Sequence, residues 1–435
     1  MNKQPRIASL DGLRGVAALV VTLTHILFCI FYPEIYFGSG AIEHSLSDMF
    51  SESLLFAFIS GSFAVAVFFV LSGFVIAYAS ANTSDGLFLL IGRRYLRLAL
   101  PITISVVLAF VLYSLFPDTT ANASHYLQNG WLSERIFEPI ERLEIAIWQG
   151  VYNCFRFGEA SINSPLWSMQ IELFGSILIY SIYAGVGRRY ILWVTPVVAL
   201  AILFLGNGKA LYLLGFCAGV MLFEAWERGW LLRTRSSWIY LGVGLVLGSI
   251  PVQVPIDSIL TPIIRLIDRM GKDAFPILTS TGAAFLLLGV IKNEQLERFL
   301  CLRPAQFLGK VSFCLYLTHW PVMATIGLFL FLHFQPDGIW FSVYIMSMLL
   351  LCIMVAYTIT IWGDEPIVKL LALLKGHKMH SVSWLFGGCF FVMGSIVYTT
   401  MVGFHWMTIS VLLIGGLGLT SVFNYAYIVF KRSPD

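Results

Sequence analysis

Twelve apolar runs, each near the length of about 20 residues that an α-helix needs to cross a bilayer, fill most of this sequence. They fall near 10–32, 54–80, 98–116, 166–186, 190–206, 209–226, 237–253, 275–291, 311–332, 338–362, 383–403 and 407–430. Those near 190–206, 209–226 and 237–253 are short. Inside hydrocarbon a backbone must satisfy its own hydrogen bonds, so runs of this length read as helices. Only 12% of the residues are charged, where a soluble domain carries about 25%, and mean hydropathy is +0.83. The chain therefore reads as an all-α polytopic membrane protein of about 12 transmembrane helices. The first run is too long for a cleavable signal, and no small-residue cleavage site follows it.

An even number of spans puts both termini on one side. The segments on that side hold 19 of the 27 Lys and Arg, the opposite segments hold 7, and Arg14 lies inside a span. Cytoplasmic segments carry the positive excess, so both termini are expected in the cytoplasm. Two segments on the outer side are long. Charged and apolar residues alternate over 131–157, which predicts one or two amphipathic interfacial helices. Residues 252–274, near Pro251, Pro255 and Pro262, read as a second surface-lying piece. A formal charge of +3 gives no reason to expect a nucleic-acid partner. The seven cysteines sit mostly in apolar runs and show no metal-ligand spacing, so neither disulfides nor a metal site is expected.

The first run also carries residues that lipid does not favour. Leu10-Asp11-Gly12-Leu13-Arg14-Gly15 opens it, and His25 lies 11 residues beyond Arg14. At about 100° per residue these steps return to nearly the same helix face, with Asp11 within about 60° of it and about 16 Å of axis between Arg14 and His25. Ionisable groups in a span usually face a bundle interior or a wet cavity. Two readings stay open for the stripe: a functional one, or a surface pair of Asp11 and Arg14 with His25 as a packing residue.

Four later stretches carry further candidates. Phe68-Phe69-Val70-Leu71-Ser72-Gly73-Phe74 places two small residues where a helix or ligand can approach closely. Arg93-Arg94-Tyr95-Leu96-Arg97 sets Arg94 and Arg97 on one helical face. That arrangement suits bidentate phosphate binding, and it equally suits a plain topological cluster. Trp167-Ser168-Met169-Gln170-Ile171-Glu172 takes an acidic group one to two turns into a span, where it needs a partner. An ion pair with Arg14 or a helix-terminus contact would supply one. Tyr316-Leu317-Thr318-His319-Trp320-Pro321 buries a second histidine, and Pro321 frees a backbone carbonyl near it.

Taken in order, and with Glu365-Pro366 closing the set, these stretches resemble the acyltransferase 3 family of integral membrane acyltransferases. The resemblance covers residues 7–370. Pro101 comes one residue later than the proline that many members place after the arginine motif, and a tyrosine often found upstream of Glu-Pro is replaced near Trp362. The resemblance implies a ten-helix acyltransferase domain over 1–370, followed by a transmembrane hairpin and tail over 371–435. It implies transfer of an acyl group, most often acetyl, from cytoplasmic acyl-CoA to a hydroxyl of a cell-envelope saccharide or lipid-linked glycan, in a bacterial inner membrane. His25 would be the base, since histidine titrates near neutral pH. Glu172 or His319 would orient the acceptor or complete the relay. Arg93, Arg94 and Arg97, with Ser72 nearby, would hold the donor. Arg14 would meet a coenzyme A phosphate or the charge that develops in the reaction. The competing classes are a proton-coupled secondary transporter, in which the same charges form a relay, and a relay protein feeding a separate periplasmic transferase. No repeated pair of Gly/Pro-broken helices favours the transporter.

Overall fold

The computed structural model describes residues 8–37, 53–135, 142–231, 236–250 and 260–373. Among them there is no strand. The main helices are α1 Ala8–Leu23, α2 Gly61–Ala81, α3 Leu87–Leu115, α4 Ser168–Gly185, α5 Ile191–Leu205, α6 Leu213–Glu227, α7 Ser237–Gly248, α8 Ala274–Lys292, α9 Arg303–Val322 and α10 Gly338–Ile359. The chain divides into two compact units, Met1–Asp364 and Glu365–Asp435. The described part of the second is the helix α11, Glu365–Leu373.

Each of the ten expected runs up to 362 contains a helix, but eight helices are long and apolar enough to cross a membrane. The exceptions have physical causes. α4 is 18 residues long, and Gln170 and Glu172 lower its hydropathy. α7 has only 12 residues, too few to cross at about 1.5 Å per residue. The count of twelve is thus not reached among the described residues, and the expected hairpin over 383–403 and 407–430 lies outside them. The run near 54–80 is divided: Leu54–Phe58 form a short 3-10 turn, and Ser60 then starts α2 by accepting from the Phe63 N–H at 3.3 Å. The arginine-rich end before the run near 98–116 is already helical, because α3 begins at Leu87. On the long segment after α3, the expected amphipathic helices are short pieces, Gly130–Ser133, Leu143–Trp148 and Cys154–Arg156. Thr261–Arg269 is the described helix of the second surface-lying piece.

α9 lies in the most deeply buried of the eight spans, whereas α5 lies in the most exposed. α1 crosses α9 at backbone contact. A Cβ added to Gly15 would come under 3.0 Å from the Gly309 nitrogen and the Leu308 carbonyl carbon, and one added to Gly309 would meet the Asp11 backbone as closely. A second crossing, of α2 on α6, uses Gly73 against the Phe216 backbone and Gly219 against Val70. Lipid offers little hydrophobic drive for helices to associate, so close approach through small residues carries the packing. Among the described residues four π-helical turns interrupt the α-helices, at Thr24–Cys29, Gln149–Asn153, Met323–Gly327 and Thr360–Asp364.

Gly15→Leu drives a branched side chain into the α9 backbone. It is expected to cost about 3 kcal/mol, the top of the range for overpacking, and to lower the melting temperature in detergent. Gly86→Ala, with nothing within 4 Å of the added carbon, is expected to change stability by less than about 0.5 kcal/mol. Equal melting of the two variants would show that the crossing does not hold α1.

Candidate active site

α1 passes directly into the π turn Thr24–Cys29, which carries His25. The turn is anchored by Thr24, whose hydroxyl donates to the carbonyls of Val20 at 2.8 Å and Ile59 at 2.6 Å. π turns inside α-helices are frequent at functional sites. His319 sits two residues before Pro321 in α9, just ahead of the π turn Met323–Gly327. Proline has no N–H, so the carbonyl of Leu317 loses its helical partner. Asn163 fills the gap and donates to that oxygen from Nδ2 at 2.8 Å. The carbonyl freed by Pro321 is therefore satisfied by the first residue of the Asn163-Ser164-Pro165 stretch.

The two histidines touch. His319 Nε2 is 3.1 Å from His25 Nδ1. His319 is fully buried, and its Nδ1 lies 2.9 Å from the Leu315 carbonyl oxygen. A carbonyl only accepts, so His319 Nδ1 carries the proton and its Nε2 presents a lone pair. His25 Nδ1 lies 3.1 Å from the Val21 carbonyl, and the same argument puts a proton there. His25 Nδ1–H is thus shared between Val21 and His319 Nε2. His25 Nε2 keeps its lone pair and has no hydrogen-bond partner among the described residues. His25 itself is half-buried.

Aromatic rings pack around the pair. Trp131 and Trp320 each lie 5.9 Å from the His25 ring, centroid to centroid, and meet each other edge-on at 5.4 Å. Arg135 stacks its guanidinium 3.9 Å from the centre of Trp131 and donates to the Trp131 carbonyl at 2.7 Å. Burial lowers the pKa of Arg135 from its ordinary value, and Glu134, 3.5 Å away, raises it again in part. Asn129 fixes this short helix against the end of the π turn. Its Nδ2 donates to the carbonyls of Cys29 and Ile30 at 2.9 and 2.7 Å, while its Oδ1 accepts from the Leu132 N–H.

Glu172 lies elsewhere, toward the end of the bundle where α2 passes into α3. It forms an ion pair with Arg94, and its Oε1 also accepts from the Ser72 hydroxyl at 2.7 Å. Arg94 Nε donates to Ser176 Oγ at 2.9 Å, and Ser176 in turn donates to the Glu172 carbonyl at 2.6 Å. Arg97 forms a two-pronged pair with Asp364, the second bond being 3.0 Å, and its guanidinium stands 5.3 Å from the Phe313 ring centre. Arg93 donates to Asp85 at 2.7 Å. Each arginine of the cluster therefore has its own carboxylate. Arg14 is the contrast. It is half-buried and feels the charges of Glu172, Arg94, Arg97 and Asp11, yet among the described residues it makes no ion pair. The partner of Glu172 is thus Arg94 and not Arg14. Between the two groups, the Tyr316 hydroxyl donates to the Pro165 carbonyl at 2.9 Å and meets Ser168 Oγ at 2.7 Å. Its ring is 6.1 Å from that of His319.

The structure thus joins His25 to His319, and Ser72, Arg94 and Glu172 to one another. It does not join Glu172 to the histidines. Sequence reasoning missed Asp364, Asp85, Asn129 and Arg135, and it named Tyr316 only as the first residue of the stretch that carries His319. A signal existed for two of them: Asp364 directly precedes the Glu365-Pro366 stretch, and Asn129-Gly130 marks a turn just before Trp131. Among the described residues no three His, Cys, Asp or Glu side chains converge to hold a metal.

Residues 7–361 match the protein family described as an acyltransferase domain. The chain is also similar to "Acyltransferase MdmB" of Streptomyces mycarofaciens, with 26% identity over 334 residues, which covers 73% of this chain and 79% of that protein. No solved structure matches.

The Arg94–Glu172 pair is open to a double-mutant cycle. Glu172→Met strands a largely buried guanidinium and is expected to cost about 3 kcal/mol, as broken buried pairs do. Adding Arg94→Met removes the stranded charge, so the double variant is expected to melt above the Glu172→Met single variant in detergent. Losses that simply add would show that the two side chains are not coupled.

Proposed function

The chain belongs to the acyltransferase 3 family and is a membrane acyltransferase, and from that premise we propose that it moves an acyl group, most often acetyl, from cytoplasmic acyl-CoA to a hydroxyl of a cell-envelope saccharide or lipid-linked glycan. The observation that carries this reading is the lone pair on His25 Nε2, which has no partner among the described residues and is held by the contact of His25 with the buried His319. For a protein of a bacterial inner membrane, the charge bias of the loops supports both termini in the cytoplasm. Membrane lipids would then surround the bundle.

On this reading the donor binds at the end that carries Arg93, Arg94 and Arg97. Arg14 makes no ion pair among the described residues and offers its guanidinium to a coenzyme A phosphate first. Arg94 and Arg97 join by exchanging Glu172 and Asp364 for phosphate oxygens. Ser72, which donates to Glu172, sets the position of that carboxylate. The acceptor hydroxyl gives its proton to His25 Nε2 as its oxygen attacks the thioester carbon. A C–O bond forms, and the carbonyl becomes an oxyanion. Collapse breaks the C–S bond, and the leaving sulfur takes the proton from His25 Nε2. While His25 carries two protons, its Nδ1–H donates to His319 Nε2 as a charge-assisted bond, roughly twice as strong as a neutral one. His319 is therefore a positioning residue for the base, and Glu172 serves the donor end.

His25→Gln keeps size and hydrogen bonding but accepts no proton. It is expected to lower turnover by about 10² to 10⁴, the usual worth of general-base assistance, while acyl-CoA binding stays as in the wild type. His319→Ala is expected to lower turnover less and to shift the pH profile of the remaining activity. The measurement is release of coenzyme A thiol coupled to acyl incorporation in purified membranes. Near-normal turnover of His25→Gln would move the base elsewhere.

A further inference from the structure

Beyond Trp131 the protein opens into a cleft of about 730 Å³, whose lining includes Arg135, Glu159, Trp167, Lys209, Tyr212 and Asp273. Pockets of about 300–1,000 Å³ enclose drug-sized ligands, so there is room for more than one sugar ring. The loops that build it all belong to segments that the charge bias assigns to the outer side.

Its lining selects against most ligand classes. Trp167 and Tyr212 place two aromatic rings 5.8 Å apart, and Lys209 Nζ stands 5.5 Å from the centre of the Trp167 ring. Glu159 and Asp273 bring carboxylates, while Arg135 and Lys209 bring cations. An alkyl chain would strand these charges. A strongly anionic or cationic ligand would meet its own sign on one wall. A sugar ring fits both halves of the lining. Its C–H face packs on an aromatic ring, and each of its hydroxyls both donates and accepts.

The cleft is also placed to feed the base. Arg135 lines it and stacks on Trp131, and Trp131 packs on His25. One stacked pair thus separates the cleft from the histidine. That pair is not fully satisfied, because Arg135 Nε is buried with no hydrogen-bond partner among the described residues. Moving Arg135 aside regains a bond that the closed stack forgoes.

We propose that this cleft is the docking site for the acceptor glycan, with a sugar ring against Trp167 and Tyr212, hydroxyls on Glu159, Asp273 and Lys209, and the Trp131–Arg135 stack as the partition through which the reacting hydroxyl reaches His25. The proposal rests on the reading of His25 as the base.

Ser161 is exposed and lines the same cleft without a part in the docking just described, so Ser161→Cys serves as an attachment point. Membranes of the variant receive radiolabelled acetyl-CoA before and after treatment with a bulky, membrane-impermeant maleimide. Wild-type membranes treated alike correct for reaction at the exposed Cys301. Label is followed into periodate-sensitive carbohydrate, lipid and protein, and acetyl-CoA binding is measured in parallel. The expected result is near-wild-type transfer into carbohydrate before treatment, and at least a tenfold loss after it with acetyl-CoA binding unchanged. Unchanged transfer in the modified variant would overturn the cleft as the docking site. Wild-type label entering lipid or protein instead would overturn the glycan as its ligand. If wild-type membranes transfer no label at all, the acyl-transfer reading itself fails, and this proposal with it.

Discussion

The contact of α1 with α9 at Gly15 and Gly309 is the constraint on which the rest depends. With no Cβ on either residue, the two backbones meet directly, and the side chains farther along each helix are brought within reach of one another. His25 and His319, 294 residues apart in sequence, face each other as a result. His25 lies inside one π turn, Thr24–Cys29, and His319 lies four residues before another, Met323–Gly327, and such turns are frequent at functional sites. Neither histidine would meet its partner on two helices held apart by ordinary side chains.

Charge is the second constraint. A bundle of this composition cannot leave a carboxylate or guanidinium bare in its interior. Glu172 has Arg94 and the Ser72 hydroxyl, Asp364 has Arg97, and Asp85 has Arg93. Arg14, on the same helix as His25, departs from this pattern among the described residues. A cation with no ion pair among the described residues, on the helix that also carries His25, suits a ligand that brings the negative charge itself. On the proposed reading that ligand is the phosphate portion of acyl-CoA. The thioester then points along α1 toward His25, over a distance of about 16 Å along the axis.

Much of this was legible in the residues. The Asp11, Arg14 and His25 stripe, the shared face of Arg94 and Arg97, and the carbonyl freed by Pro321 follow from local helix geometry. What joins them does not. The pairing of Arg97 with Asp364 spans 267 residues of sequence, and no periodicity reports it. Asn129 closes the end of a turn about a hundred residues earlier, and only the fold shows that Trp131 and Arg135 come to rest over His25. The run lengths misled in a different way. Leu54–Phe58 is as apolar as a span but lies outside α2, because the Ser60 cap sets where that helix begins. α4 is less apolar than a span because it carries Glu172, so the residue that made it interesting is the one that weakened its hydropathy signal.

On the proposed reading, donor and acceptor reach the His25–His319 pair from opposite ends of the bundle. Sealed vesicles of known orientation test it directly, because acetyl-CoA does not cross a bilayer. Inside-out and right-side-out vesicles carrying the protein are given radiolabelled acetyl-CoA on the outside only, and bound label is measured with and without Arg14→Gln. Saturable binding is expected in inside-out vesicles, at least tenfold weaker in the variant, and none above background in right-side-out vesicles. Equal binding in both orientations, or binding that is indifferent to Arg14, would contradict the proposed reading.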